Sequence, residues 1–179
     1  LADTFPEFHF AHRLAYERFE LPGLLVHAVP QMLTVEATKE ALAEVDKCRS
    51  LDRVNLLLTH PRVPQVEPKY ADINEIEVDA GLLQSDLVLL GHYHSHRKVL
   101  DRIWYAGATD TFSFADDSDP KGIVVLDTDT GICTQAPLTG QRPMVTPDVI
   151  SALGLGPEDI QSALVDTLSS APADAVVRL

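Results

Sequence analysis

Two short runs of consecutive apolar residues constrain the fold of this 179-residue chain more than any other feature. They read VNLLLTH over residues 54–60 and SDLVLLGH over residues 85–92. A strand that is covered on both faces carries apolar residues at successive positions, whereas a strand with one wet face alternates apolar and polar residues. The two runs therefore predict buried strands of an α/β sheet, and each run ends in a histidine.

The segments before these runs supply a further strand and a helix. LLVHAVP, residues 24–30, predicts a short buried strand that ends at the proline. Residues 34–48 are rich in helix formers and follow Thr34, which is a good capping residue. The apolar residues of this segment fall at the spacing of one helix face, at positions 37, 41, 42 and 45.

The segments after the runs have a different character. KVLDRIWYAGATDTFSFAD, residues 98–116, and KGIVVLDTDTGICTQAPL, residues 121–138, predict strands joined by tight turns, with one hairpin turn at Asp129–Gly131. The order is strand, helix, strand, strand and then antiparallel hairpins. This order favours an α/β fold with a layered mixed sheet over a doubly wound parallel sheet.

The composition changes again after residue 142, and we expect two units, 1–142 and 143–179. Gly156 and Pro157 predict the start of a helix, in which Ile160, Leu164 and Leu168 share one stripe. The final residues, DAVVRL, predict a strand with no neighbour in the sequence to pair with. We therefore interpret residues 143–179 as the start of a small α+β accessory domain.

The formal net charge of −13 limits what the surface can bind. Such a surface repels nucleic acid on average, so a phosphate-bearing substrate needs a local source of positive charge, such as bound metal ions. Cys48 and Cys133 form no CxxC pair and are predicted to be free thiols in a reducing compartment. No apolar run approaches the roughly 20 residues of a membrane span, and the first residues lack the apolar core of a signal peptide. We expect a cytoplasmic protein.

Three histidines are candidate metal ligands, namely His60, His92 and His94. His60 and His92 end the two apolar runs, and ligands collect beyond the carboxyl ends of strands in open α/β sheets. His92 and His94 are two residues apart, so both imidazoles can face one side of an extended segment. Neutral imidazole is the commonest nitrogen ligand of first-row metals. By residue type alone, a structural role for each of them stays open.

Other polar residues near the runs have simpler interpretations. His27 lies inside an apolar strand and is predicted to be a core histidine or one that supports a ligand, and His96 a surface residue or a hydrogen-bond donor to a ligand. Arg62 and Lys69 follow His60 and are able to contact phosphates, although solvated positions fit an acidic chain better. No residue is assigned a catalytic or substrate-binding role.

The strings LLLTHPRVP, residues 56–64, and DLVLLGHYH, residues 86–94, resemble the calcineurin-like metallophosphoesterases. In that family a lone histidine after one strand and a GHxH after the next complete a two-metal centre. The downstream DRIWYAGATDTFSFAD and KGIVVLDTDTG are similar to the SbcD-type DNA repair nucleases, with Ala106–Thr109 in place of a Pro-Gly-Ser turn. The resemblance covers roughly residues 24–179.

The resemblance implies a layered mixed-sheet metallophosphoesterase sandwich and an exonuclease or endonuclease acting on DNA. It implies that His60 and His92 hold one metal ion and His94 the other. The complete site would hold two divalent ions, with Mn²⁺ favoured by mixed imidazole and carboxylate ligands. It further implies an SbcC-like SMC-type ATPase as partner, a homodimer of the full-length protein, and a DNA-binding cap that begins at residue 143.

One departure from the family is large. The family's earlier Asp-x-His, Gly-Asp-x-x-Asp and Gly-Asn-His-Asp motifs do not occur in these 179 residues. We therefore expect residues 1–142 to be the carboxyl-terminal half of the catalytic domain, without nuclease activity of their own. Two alternatives remain: another calcineurin-like phosphodiesterase acting on small nucleotides or phosphoproteins, and a degenerate, non-catalytic metal-binding module.

Overall fold

The computed structural model describes residue 11 and residues 13–66, 75–116 and 120–178. Within these residues the chain forms ten strands, two α-helices and two short 3₁₀ turns. The elements in chain order are β1 (Glu17–Leu21), β2 (Leu24–Ala28), α1 (Val35–Cys48), β3 (Val54–Thr59), the turn Ala80–Leu82, β4 (Leu87–Leu90), β5 (Arg97–Leu100), β6 (Ile103–Tyr105), the turn Phe114–Asp116, β7 (Gly122–Asp127), β8 (Ile132–Pro137), β9 (Met144–Val145), α2 (Pro157–Ser170) and β10 (Val176–Val177).

Six strands form one mixed sheet in the order β1-β2-β3-β4-β6-β5. The four central strands run parallel, and β1 and β5 pair antiparallel to them at the two edges. The buried strands predicted within residues 24–30, 54–60 and 85–92 are all present. The predicted α/β class with a mixed sheet is therefore confirmed. Strand β1 was not predicted, because its five residues ERFEL lie in a mixed segment and include three charged residues and no apolar run.

Helix α1 forms where the spacing of apolar residues predicts it. The Thr34 hydroxyl accepts a hydrogen bond from the amide of Ala37, 3.1 Å away, and so caps the first turn. Buried residues of the helix pack against one face of the sheet and form a hydrophobic core with it. The residues of this core include Ala41, Leu42 and Val45 of α1 and Val29, Leu57, Val88 and Leu90 of the sheet and its strand ends. Burial of the helix residues, more than helix propensity, holds α1 in place.

The opposite face of the sheet is less completely covered. Leu24, Val26, Leu56 and Leu87 form a second, smaller core, against which Leu126 and Cys133 of the β7–β8 hairpin pack. Leu58 lies on this same face of the central strand β3 and is 38% exposed. The sheet is therefore well packed under α1 and partly open under the hairpin.

The segment after residue 142 forms its own small pairing. The predicted final strand does have a partner, because β10 pairs parallel with β9; the expectation of an unpaired strand was wrong. Helix α2 begins after Gly156, whose amide donates to the Asp159 carboxylate, 3.1 Å away. None of its residues is buried, so the predicted apolar stripe does not enter a core. The domain boundary at residue 142 stays a prediction.

Neither of the two α-helices in the described part of the chain has both the length and the apolarity needed to cross a membrane.

A candidate metal centre at the ends of the central strands

The two strand-end histidines lie next to each other. Strands β3 and β4 are parallel neighbours, with Thr59 opposite Leu90, so the residues that follow them leave the sheet at the same edge. The ring centroids of His60 and His92 are 5.8 Å apart, and the planes meet at 85°. The sheet topology thus brings together two of the three predicted ligands.

Gly91 leaves room for the His60 ring. A Cβ atom built on Gly91 would lie 2.3 Å from His60 Nδ1 and 2.8 Å from Cε1, which is inside van der Waals contact. The Gly91 amide donates to the carbonyl of Thr59, 2.9 Å away, and so extends the β3–β4 pairing to the site. A side chain at this position would clash with the His60 ring where it now lies.

His92 holds an uncommon backbone conformation. Its φ is 83°, in the left-handed region that non-glycine residues rarely occupy and that costs about 1–3 kcal/mol. The ring is held by a hydrogen bond between Nε2 and Glu75 Oε1, 3.1 Å apart, and by edge contact with Tyr93 at a centroid distance of 4.8 Å. Arg62 Nε lies 3.6 Å from the other Glu75 oxygen. Strain of this kind clusters at functional sites.

His94 has a carboxylate partner of its own. Its Nδ1 lies 2.7 Å from Asp116 Oδ2, and the Phe112 ring leans on the imidazole with centroids 5.6 Å apart. Burial alone would raise the pKa of Asp116. The hydrogen bond and charge of His94, together with the charge of Lys121, outweigh burial and hold that pKa below its usual value.

The three candidate ligands influence one another. Burial against the protein lowers the pKa of His60, and the charges of His92 and His94 lower it further. The His60 side chain nevertheless keeps an open edge to solvent. The neutral ring that results is the form of histidine that binds metals.

His60 and His92 line a cavity of about 450 Å³ above the strand ends. Thr59 also lines this cavity, and its buried hydroxyl has no hydrogen-bond partner among the residues that the structure describes. The remaining lining residues are mostly apolar: Ala11, Ala28, Val29, Pro30, Gln31 and Leu58. A concave, largely apolar site with a few convergent polar groups is the usual form of a ligand site.

The types of side chain at this site suit a divalent metal ion, but the described residues supply too few of them. Imidazole with nearby carboxylate suits Mn²⁺ or Fe²⁺. Within residues 13–66, 75–116 and 120–178, however, no three histidine, cysteine or acidic side chains come together as a group that can hold a metal ion. The described residues supply two adjoining imidazoles, and a closed site needs more donors.

Two acidic residues of the site were not predicted from the sequence. Asp116 ends the FSFAD string that carries part of the family resemblance, but nothing in that string points to His94. Glu75 lies in a mixed acidic segment without a recognisable pattern. Both contacts depend on how the loops fold over the strand ends. Histidines that bind metals often donate their second ring N–H to a carboxylate. The signal that could have found these two acids is therefore the presence of candidate metal-binding histidines, each of which needs such a partner.

The other polar residues fall outside the candidate centre. His96 stacks on Trp104, with centroids 5.5 Å apart. His27 is fully buried and hydrogen-bonded within the sheet, as a core histidine is expected to be. Arg62 forms ion pairs with Glu75 and with Glu77. Lys69 lies outside the described residues.

Comparison with known protein families and with curated proteins finds no match to this chain.

Proposed function

We propose that the chain carries the carboxyl-terminal half of a metal-dependent phosphodiesterase site, in a metallophosphoesterase sandwich closest to the SbcD-type DNA nucleases. The observation that supports this most is the contact of His60 with His92 across β3 and β4. Gly91 leaves the space that the His60 ring occupies in this contact. A lone strand-end histidine and the first histidine of a GHxH segment lie side by side, as the resemblance implies for two ligands of one metal ion.

His60 and His92 would hold one divalent ion and His94 the other, with Mn²⁺ as the favoured metal. Bound ions of this kind supply an activated water and neutralise the charge of a phosphodiester. The protein's own part is to hold the three imidazoles at one edge of the sheet. The strained backbone of His92 and the carboxylates of Glu75 and Asp116 fix two of these rings.

The acidic charge of the chain bears on its substrate and partners. A net charge of −13 gives no general attraction for a phosphate backbone. DNA would then be held by the metal ions and by an SbcC-like SMC-type ATPase, with a cap that begins near residue 143. Two copies of the full-length protein would form a homodimer in the cytoplasm.

The first experiment measures Mn²⁺ binding by isothermal titration calorimetry. The wild-type chain is compared with a His92→Ala/His94→Ala double variant and with a His96→Ala control, which removes an imidazole from the same loop without touching the candidate centre. We expect the wild type and the control to bind alike, and the double variant to bind at least about tenfold more weakly. Equal binding by the double variant, or no binding by the wild type, would contradict the site.

A substrate panel separates the reaction classes. We expect no Mn²⁺-dependent cleavage of single- or double-stranded DNA by these 179 residues, because they supply too few metal donors. DNA cleavage that disappears in the double variant would show that the half-site is sufficient. Hydrolysis of a cyclic nucleotide or a phosphopeptide, but not of DNA, would favour the small-substrate alternative.

A further inference from the structure

The two loop histidines use opposite ring nitrogens to contact their carboxylates. His92 contacts Glu75 through Nε2, and His94 contacts Asp116 through Nδ1. An ionised carboxylate only accepts hydrogen bonds, so the contacted nitrogen carries the hydrogen in each case. In the neutral form of each ring, the nitrogen left with a free lone pair is therefore Nδ1 in His92 and Nε2 in His94.

We propose that Asp116 is a positioning residue that locks the His94 imidazole in its Nδ1–H tautomer and leaves Nε2 as its open nitrogen. The identity of what Nε2 binds rests on the proposed function. The tautomer itself does not, since it follows from the contact between these two side chains in the protein without metal.

The two side chains of this contact differ in their exposure to solvent. The Asp116 side chain is 12% exposed, whereas the His94 side chain is 45% exposed. The acid is thus fixed inside the protein, and the outer edge of the ring faces solvent. The separation of 2.7 Å lies at the short end for a nitrogen-to-carboxylate hydrogen bond, as expected for a strong, charge-assisted pair.

The backbone around Asp116 holds the carboxylate in place. Asp116 ends the turn Phe114–Asp116, and its amide donates to the carbonyl of Ser113, 3.0 Å away. The amide of Ala115 donates to the Ser113 hydroxyl, 3.3 Å away. A carboxylate on a closed turn presents its oxygen with little freedom, so the imidazole adapts to it.

The other contacts of His94 do not select a tautomer. The amide of Ala108 holds the His94 carbonyl at 3.0 Å, which fixes the backbone, and the Phe112 ring packs against the imidazole. Packing against an aromatic ring leaves the choice of protonated nitrogen open. Among the described residues, only the Asp116 carboxylate makes a hydrogen bond to this ring, so it decides which nitrogen carries the hydrogen.

A cationic side chain lies near each carboxylate. Arg62 lies beside Glu75, and Lys121 acts on Asp116 through its charge. Lys121 is 6% exposed, and its ammonium makes no hydrogen bond to the residues that the structure describes. A buried ammonium in this position keeps Asp116 as an acceptor and so reinforces the Nδ1–H tautomer.

The test reads the tautomer directly in metal-free, ¹⁵N-labelled protein at pH 7.5, through long-range ¹H–¹⁵N correlations of the imidazoles. We expect His94 in the Nδ1–H form and His92 in the Nε2–H form. In Asp116→Asn, the His94 ring should shift to a mixture of tautomers while His92 is unchanged. Asp110→Asn, an exposed change of the same charge in the neighbouring loop, should leave both rings as in the wild type.

A wild-type His94 in the Nε2–H form would overturn the inference, as would an Asp116→Asn spectrum with the wild-type His94 signals. Mn²⁺ titration of the same proteins tests the function separately. If the wild type binds Mn²⁺, Asp116→Asn should bind about 10–100-fold more weakly. If the wild type binds none but shows the expected tautomer, the proposed function fails and the positioning role of Asp116 stands.

Discussion

His27 and His60 belong to neighbouring parallel strands of one sheet, yet their surroundings are opposite. His27 lies within β2 and is completely buried, and both ring nitrogens are hydrogen-bonded. His60 follows the end of β3, lines a cavity and contacts a second imidazole. The comparison teaches that the position along a strand, more than the residue type, separates a structural histidine from a candidate ligand.

The mid-strand histidine belongs to a polar network that crosses the sheet. Tyr16 donates its hydroxyl to His27 Nδ1 at 2.9 Å, and burial raises the pKa of Tyr16 to about 12, which keeps this donor protonated. His27 Nε2–H donates to Asn55 Oδ1 at 3.2 Å. The amide group of Asn55 then donates to Asp86 Oδ2 at 2.8 Å. The network joins the residues around β1, β2, β3 and β4.

The largest effect is expected where this network is cut. Asn55→Ala removes the partner of His27 Nε2–H and of the Ser50 amide. It also removes one hydrogen bond of the Asp86 carboxylate, which keeps the backbone amide of residue 55 and Arg49 as partners. We expect the free energy of unfolding, measured by urea denaturation, to fall by about 3 kcal/mol. His60→Ala at the end of the same strand should lower it by less than about 0.5 kcal/mol. Similar losses in both variants would remove the distinction between the two positions.

A methyl group at Gly91 tests the strand-end contact. Gly91→Ala places a Cβ where the His60 ring lies, so we expect a loss of about 1–3 kcal/mol in the free energy of unfolding or displacement of the ring. Urea denaturation measures the first effect, and the NMR shifts of the His60 and His92 ring protons measure the second. In Gly91→Ala/His60→Ala the clash partner is gone, and most of the lost stability should return.

The pH dependence of stability sharpens the comparison further. Burial lowers the pKa of His27, and the same cause lowers that of His60. A histidine with a lowered folded-state pKa contributes stability that is complete above its unfolded pKa of about 6.5 and is lost as the pH falls below it. We expect the free energy of unfolding to drop between pH 7.5 and 5.5, by at most about 1.4 kcal/mol per pH unit for each histidine.

Urea denaturation of His27→Gln at the same pH values separates the two contributions. Its slope should be shallower than that of His60→Ala, because His27 is fully buried and the His60 ring keeps access to solvent. Equal stability of the wild type at pH 7.5 and 5.5 would contradict the burial of neutral imidazoles. The lowered pKa values of Asp86 and Asp116 act below about pH 4 and do not enter this window.

The sequence predicts the strands because their apolar runs are local signals. It also predicts that His60 and His92 lie at one edge, since parallel neighbours end together. The carboxylate partners of the loop histidines could not be predicted. Glu75 contacts His92 and Asp116 contacts His94 through a chain conformation that no local sequence pattern encodes. The pairing of β9 with β10 was likewise missed, because two-residue strands leave no periodicity to detect.

The parallel order of the central strands has a consequence for how fast the site forms. Leu24 pairs with Val54 and Leu56 with Leu87, so each pairing closes a loop of some thirty residues. Chains dominated by such distant pairings fold slowly, because loop closure precedes the contacts that stabilise it. His60 and His92 come into contact only after β3 and β4 have paired along their whole length. We therefore expect the contact between their rings to appear late in refolding, after α1 has formed.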